Sequence, residues 1–168
     1  MFDSVVLGVD PGLGSVGFAV LARDRGSPVL VWAASLSTPA QAQTEERLHR
    51  IHTVAEQILA EHRPRALAIE RLLWGRNTGS AMQVARASGV VMLAAAEAGV
   101  PVTEYAPLEV KMAVTGVGNA PKEQVRRALE MLLGRGCVPR QPDAADAAAV
   151  ALCHLQQSGV RRLAEAAR

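Results

Sequence analysis

The chain has 168 residues, of which 49% are hydrophobic and 20% charged, with a formal net charge of +2. That length supports one domain around one good core. No apolar run approaches the roughly 18 residues of a membrane span, no basic stretch precedes an apolar one as in a secretory signal, and a charge so close to zero says little for or against a polyanion partner. Cys137 and Cys153 have no metal-ligand spacing, and without a leader they read as free thiols of a cytoplasmic protein. Lys111 and Lys122 are lysines; the other basic residues of the 18 are arginines.

Val5, Val6, Leu7 and Val9 form a short apolar run, as in a strand buried on both faces, and the run ends on Asp10. Pro11 and Gly12 turn the chain, and Val16 to Val20 returns it as a hairpin partner. A carboxylate at the end of a buried strand has two readings. It caps its own turn through the Gly12 or Leu13 amide, or it meets a positive partner: a backbone amide, an arginine or a metal ion. Residues 28 to 36 predict a third strand after the Asp24-Arg25-Gly26-Ser27 turn, completing an antiparallel meander.

Thr44 reads as the N-cap of a helix over 45–62, with Glu45 and Glu46 in its first turn and Leu48, Ile51, Ala55, Ile58 and Leu59 on its apolar face. His49, His52 and His62 read as solvated or core-edge histidines, since no partner cluster is evident. Ala66-Leu67-Ala68-Ile69-Glu70 repeats the earlier pattern, a short buried strand ending in an acid. The intervening helix implies a parallel crossover. A loop over Arg71 to Arg76 precedes a long helix over 77–98. Its small-residue stripe (Ala81, Ala85, Ser88, Gly89, Met92, Ala96, with Met82 and Leu93 beside it) has two readings: packing on the sheet, or a subunit interface.

Residues 101–105 predict a fifth strand and 107–115 a short helix carrying Lys111. Pro121 suits the first turn of the next helix and Gly134 its end. Lys122 stands at that helix's start, where a cation opposes the helix dipole. This points to an anion nearby, with a plain solvated lysine as the alternative. The last helix starts at Pro142. Asp143 and Asp146, three apart, share one of its faces, amid Ala144, Ala145, Ala147 and Ala148. Residues 158–168 read as a C-terminal tail to a domain over 1–157.

Four carboxylates without a Cys or His cluster match a hard cation with oxygen ligands, Mg²⁺ or Mn²⁺. Two such ions about 3.5–4 Å apart clamp the attacking and leaving oxygens of a phosphodiester. Gly8-Val9-Asp10-Pro11-Gly12, Ile69-Glu70, Ser80-Ala81, Glu104-Tyr105, Val110-Lys111, Gly116-Val117-Gly118 and Asp143-Ala144-Ala145-Asp146-Ala147 resemble, in order, the motifs of the bacterial Holliday-junction resolvase family RuvC. The resemblance spans about Phe2 to His154. It implies an α/β, RNase H-like fold with a five-stranded mixed sheet, three strands antiparallel and two parallel, flanked by helices. It implies a homodimeric, metal-dependent endodeoxyribonuclease that cuts opposed strands of four-way junctions in recombination and repair.

By position Asp10, Glu70, Asp143 and Asp146 match the family's catalytic, metal-binding acids, for two Mg²⁺ or Mn²⁺ ions per site. Lys111 and Lys122 match its junction-binding basic residues. Arg71, Leu73, Trp74 and Arg76 fall in the loop that meets DNA. There the family carries a stacking Phe, and this chain has Leu73 with Trp74 beside it. A branch-migration helicase of the RuvA and RuvB type is the implied partner, with no membrane. Two rivals stand beside this reading. An actin- or hexokinase-like ATPase also pairs a strand-end Asp with glycines, but needs two such domains. A junction-binding module without catalysis has no need of four acids.

Overall fold

The computed structural model describes residues 4–72 and 78–166. Three strands come first: β1 (Ser4–Asp10), β2 (Ser15–Asp24) and β3 (Ser27–Ser37). Then follow α1 (Thr44–His62), β4 (Ala66–Glu70), α2 (Thr78–Glu97) and β5 (Val102–Tyr105). The chain ends in α3 (Pro107–Thr115), α4 (Lys122–Leu133) and α5 (Pro142–Ala166). The sheet order is β3-β2-β1-β4-β5. β1–β2 and β2–β3 are antiparallel, whereas β1–β4 and β4–β5 are parallel. This is the mixed sheet expected from the order of apolar runs. Arg25 and Gly26, with φ of 48° and 89°, close the β2–β3 hairpin in the left-handed pair that a two-residue loop needs.

Strand alternation splits the core in two. Leu7, Val9, Val16, Phe18, Val20, Leu67 and Ile69 point one way and pack on Ile51, Ala55 and Leu59 of α1 and on Ala87, Val91 and Ala95 of α2. Val6, Ala19, Leu21 and Ala68 point the other way, onto α3, α4 and α5. The same period carries Gly8 and Asp10 to the face of Val6, and Glu70 to the face of Ala68. Both strand-end acids therefore point toward α5.

α5 reaches the sheet because two strand positions have no side chain. A Cβ on Gly8 would lie 2.2 Å from the Ala147 carbonyl oxygen, and one on Gly17 would lie 1.9 Å from that of Asp143. Ala144, Ala147, Ala148 and Ala151 complete the close fit, all fully buried. The alanine-rich segment is thus an adaptation to short interlayer distance.

Local boundaries differ from expectation in four places. The cap of α1 is Gln43 rather than Thr44, because Glu46 reaches back to the Gln43 amide at 3.3 Å. Pro121 caps α4 instead of opening its first turn. α5 continues to Ala166, past residue 157, since the segment holds good helix formers. On α2, the face against the sheet is Ala81, Ala87, Val91, Ala94 and Ala95. Ala85, Gly89 and Ala96 of the predicted stripe are exposed, as are Met82 and Leu93 at 55% and 51%. The stripe is therefore split: Ala81 is buried and Met92 packs on the α1–α2 side of the core, while Ala85, Gly89 and Ala96 turn outward and β-branched Val91 marks the inner face.

Candidate active site

Val9 pairs with Ile69 across the parallel β1–β4 ladder, so Asp10 and Glu70 end adjacent strands side by side. The first turn of α5 crosses above them. Asp143 lies over Gly17, the β2 partner of Asp10, and Asp146 is one helical step further. Lys122, at the start of α4, contacts Asp146 with Nζ–Oδ2 at 3.1 Å, and its side chain is 83% exposed. A 340 Å³ cavity is lined by Asp10, Glu70, Lys111, Lys122 and Asp146 among others. A second, of 300 Å³, reaches Asp10 and Glu70 from the side of Arg71, Leu72 and Val84. The two strand-end acids are open from both sides.

The electrostatics follow from this crowding. Burial, then Glu70, Asp146 and Asp143, push the Asp10 carboxyl from 3.8 up to about 7, with Lys122 opposing. Burial and then Asp146 raise Glu70, while Lys122, a hydrogen bond from Asp10, and Lys111 oppose. Burial and crowding thus favour the protonated form of both strand-end acids. The hydrogen bond and charge of Asp146 hold the Lys122 ammonium above its usual range. Lys122 is more than a solvated lysine, because it offsets the charge of at least two acids. An all-carboxylate set of this kind, short of protein cations, has the chemistry of a hard divalent site. Burial and acidic neighbours surround Asp10, with Lys122 the cation that opposes them.

The family described as crossover junction endodeoxyribonuclease RuvC matches residues 6–154. The chain belongs to the RuvC family. The RuvC of Syntrophomonas wolfei is 41% identical over 150 residues, covering 89% of this chain and 87% of that one. The RuvC of Chloroflexus aggregans is 42% identical over 160 residues, covering 92% and 98%. Among solved structures, Thermus thermophilus RuvC in complex with a Holliday junction substrate has a TM-score of 0.85 at 38% identity, covering 90% of this chain and 93% of that one. The RNase H-like, five-stranded mixed fold expected for the family is the fold observed.

With the family in place, the predicted residues sort plainly. Asp10, Glu70, Asp146, Lys111 and Lys122 share one cavity, and Asp143 adjoins it one turn earlier on α5. Arg71 is exposed at the mouth of the second cavity, its amide held by the Tyr105 carbonyl at 2.7 Å. Leu73, Trp74 and Arg76 lie outside the described residues. No helix among those described is long and apolar enough to cross a membrane.

Two features were not found from the sequence. Ser15 donates a hydrogen bond to Asp143 Oδ2 at 2.5 Å. The usable signal was its spacing: Ser15 and Gly17 share a strand face, and Gly17 faces Asp10. The other is a second acidic group at the far end of the sheet. His52 lies between Glu56 (Nδ1–Oε2 3.3 Å) and Glu97 (Nε2–Oε2 2.9 Å), so the partner cluster that was missing for the histidines exists. These three bring ligand atoms within 4.8 Å of one another, a tighter grouping than the four acids form. Yet both ring nitrogens already face carboxylates from opposite edges, so that the ring ties two helices, and a ligating imidazole offers one nitrogen to a metal. The neighbouring 760 Å³ cleft, between the ends of α1 and α2, contains none of the four acids.

Proposed function

We propose that this chain cuts opposed strands of four-way DNA junctions as a homodimer, each protomer hydrolysing one phosphodiester with two divalent cations held by Asp10, Glu70, Asp143 and Asp146. The convergence of Asp10, Glu70 and Asp146 on one cavity beside the chain's two lysines, with Asp143 adjoining it, carries this reading. Bound there, Mg²⁺ or Mn²⁺ supplies the positive charge that clamps the attacking and leaving oxygens of a phosphodiester. Asp10 and Glu70, both reached from both cavities, would hold the ions together with Asp143 and Asp146 of α5. Cation binding would compete with protonation of the crowded acids, Asp10 above all. Lys111, Lys122 and Arg71 meet backbone phosphates, which fix position without reading sequence.

The dimer reading rests on α2. Met82, Ala85, Gly89, Leu93 and Ala96 leave an apolar outward face, and a Cβ at Gly89 would meet nothing within 4 Å, which leaves room for a second backbone. A RuvA- and RuvB-type branch-migration machine is the partner this activity calls for.

The test is incubation of purified protein with a synthetic four-way junction and with a linear duplex of the same sequence, with and without Mn²⁺. Paired nicks in opposed junction strands, only with Mn²⁺, are the expected result. Equal cutting of the duplex, or none with metal present, refutes the reading.

A further inference from the structure

We infer that Ser15 is a positioning residue for Asp143: its hydroxyl fixes one carboxylate oxygen so that the other is presented to the metal site. The inference rests on the proposal that the acids hold divalent cations, and extends it to a residue outside the acid set. Each helix acid has a partner on a different element. Asp146 Oδ2 is engaged by Lys122, and Asp143 Oδ2 accepts from Ser15. A hydroxyl is the apt partner for Asp143. It orients a carboxylate without cancelling the charge that a cation needs, whereas an ammonium would compete with the cation.

Ser15 is itself held. It is the first residue of β2, paired with Ser37, and the loop before it is anchored from outside. Buried Thr38 donates through Oγ1 to the Leu13 carbonyl at 2.5 Å and through its amide to the Gly14 carbonyl at 3.0 Å. Arg47 of α1 donates from Nε to Thr38 Oγ1 at 2.8 Å. Gly17, two residues on, seats the Asp143 backbone directly on the strand. The backbone of Asp143 is therefore located by Gly17 and its side chain by Ser15, both on one face of one strand. The relay Arg47–Thr38–loop–Ser15–Asp143 ties the α1 layer to the acid site through hydrogen bonds and the short Leu13–Ser15 backbone.

The experiment measures Mn²⁺ binding to the full chain without DNA, by electron paramagnetic resonance, and the Mn²⁺ concentration for half-maximal junction cleavage. It compares the natural chain with Ser15→Ala, Ser15→Thr, Asp143→Asn and the double variant Ser15→Ala/Asp143→Asn. Ser15→Ala is expected to weaken Mn²⁺ binding about tenfold and to raise the half-maximal concentration equally, with cleavage recovering at high Mn²⁺. Ser15→Thr keeps the hydroxyl and both values. In the Asp143→Asn background, Ser15→Ala adds no further loss. Thr38→Val, which loosens the loop without touching the site, shifts both values the same way by less. Unchanged Mn²⁺ binding in Ser15→Ala, equal losses in Ser15→Ala and Ser15→Thr, or full additivity with Asp143→Asn each overturns the inference. If the natural chain itself binds no Mn²⁺, the proposed metal chemistry fails instead.

Discussion

The two ends of the sheet each gather carboxylates, and they solve the resulting repulsion differently. At the α1–α2 end, one imidazole sits between Glu56 and Glu97, whose side chains are 52% and 51% exposed, so water and one ring suffice. At the carboxyl ends of β1 and β4, four acids crowd a half-buried site and the one direct ion pair among the described residues is Lys122 with Asp146. Desolvation there raises Asp10 to about 7. On the proposed function, the acid-rich end is left short of positive charge because a cation completes it, and that deficit, more than the number of acids, separates it from the histidine cluster.

The comparison breaks most visibly under single amide substitutions. Asp146→Asn is expected to lower junction cleavage by more than about 10³-fold while junction binding, measured by gel shift, survives. Glu97→Gln is expected to leave cleavage within about twofold. Cleavage at the natural rate by Asp146→Asn would reduce that acid to a helix-dipole partner of Lys122.

Gly17→Ala tests the frame beneath the acids. Its Cβ would overlap the Asp143 carbonyl at 1.9 Å, so α5 must lift from the sheet. A loss of about 2–4 kcal/mol of stability together with most of the cleavage is expected, by denaturant melt and gel assay. Retained stability would mean that α5 is not seated as described.

A smaller effect comes from Asp10 and pH. The folded chain holds the Asp10 proton up to about 7 against 3.8 for an ordinary aspartate. The folded state therefore binds more protons than the unfolded state between these values. Its stability falls as pH rises from about 4 to about 7 and is flat above. Asp10→Asn, which keeps the neutral form at every pH, is expected to raise the metal-free Tm at pH 8 by about 4–8 °C, or about 2 kcal/mol, while abolishing cleavage. Mg²⁺ should give the natural chain a similar gain. A lower Tm in Asp10→Asn would show that its charge is already compensated.

The smallest change is expected at the far end. His52→Gln should cost about 0.5–1 kcal/mol, read as a Tm drop of about 1–4 °C, with no change in Mn²⁺ dependence.

Much of this was legible in the chain because its signals are local. A buried run that ends on Asp10 and another that ends on Glu70 state their own geometry, and Asp143 and Asp146 at three apart share a helical face by arithmetic. What was hidden depends on distance along the chain. Ser15 meets Asp143 across 128 residues, and a serine after a turn has an ordinary explanation of its own. His52 finds Glu97 across 45 residues. Gly8 and Gly17 looked like generic strand glycines until α5 lay on them. Neither reading of α2 took the whole stripe, because small residues line several of its sides and leave little periodic contrast.

The central claim is that the metal belongs to the acid-rich end of the sheet and not to the histidine cluster. Mn²⁺ binding by isothermal titration calorimetry decides it, with the natural chain compared against Asp10→Asn/Asp146→Asn and His52→Gln. Binding of two ions per chain that is lost in the double variant and kept in His52→Gln is the predicted result. Binding that survives the double variant and disappears in His52→Gln would contradict the account.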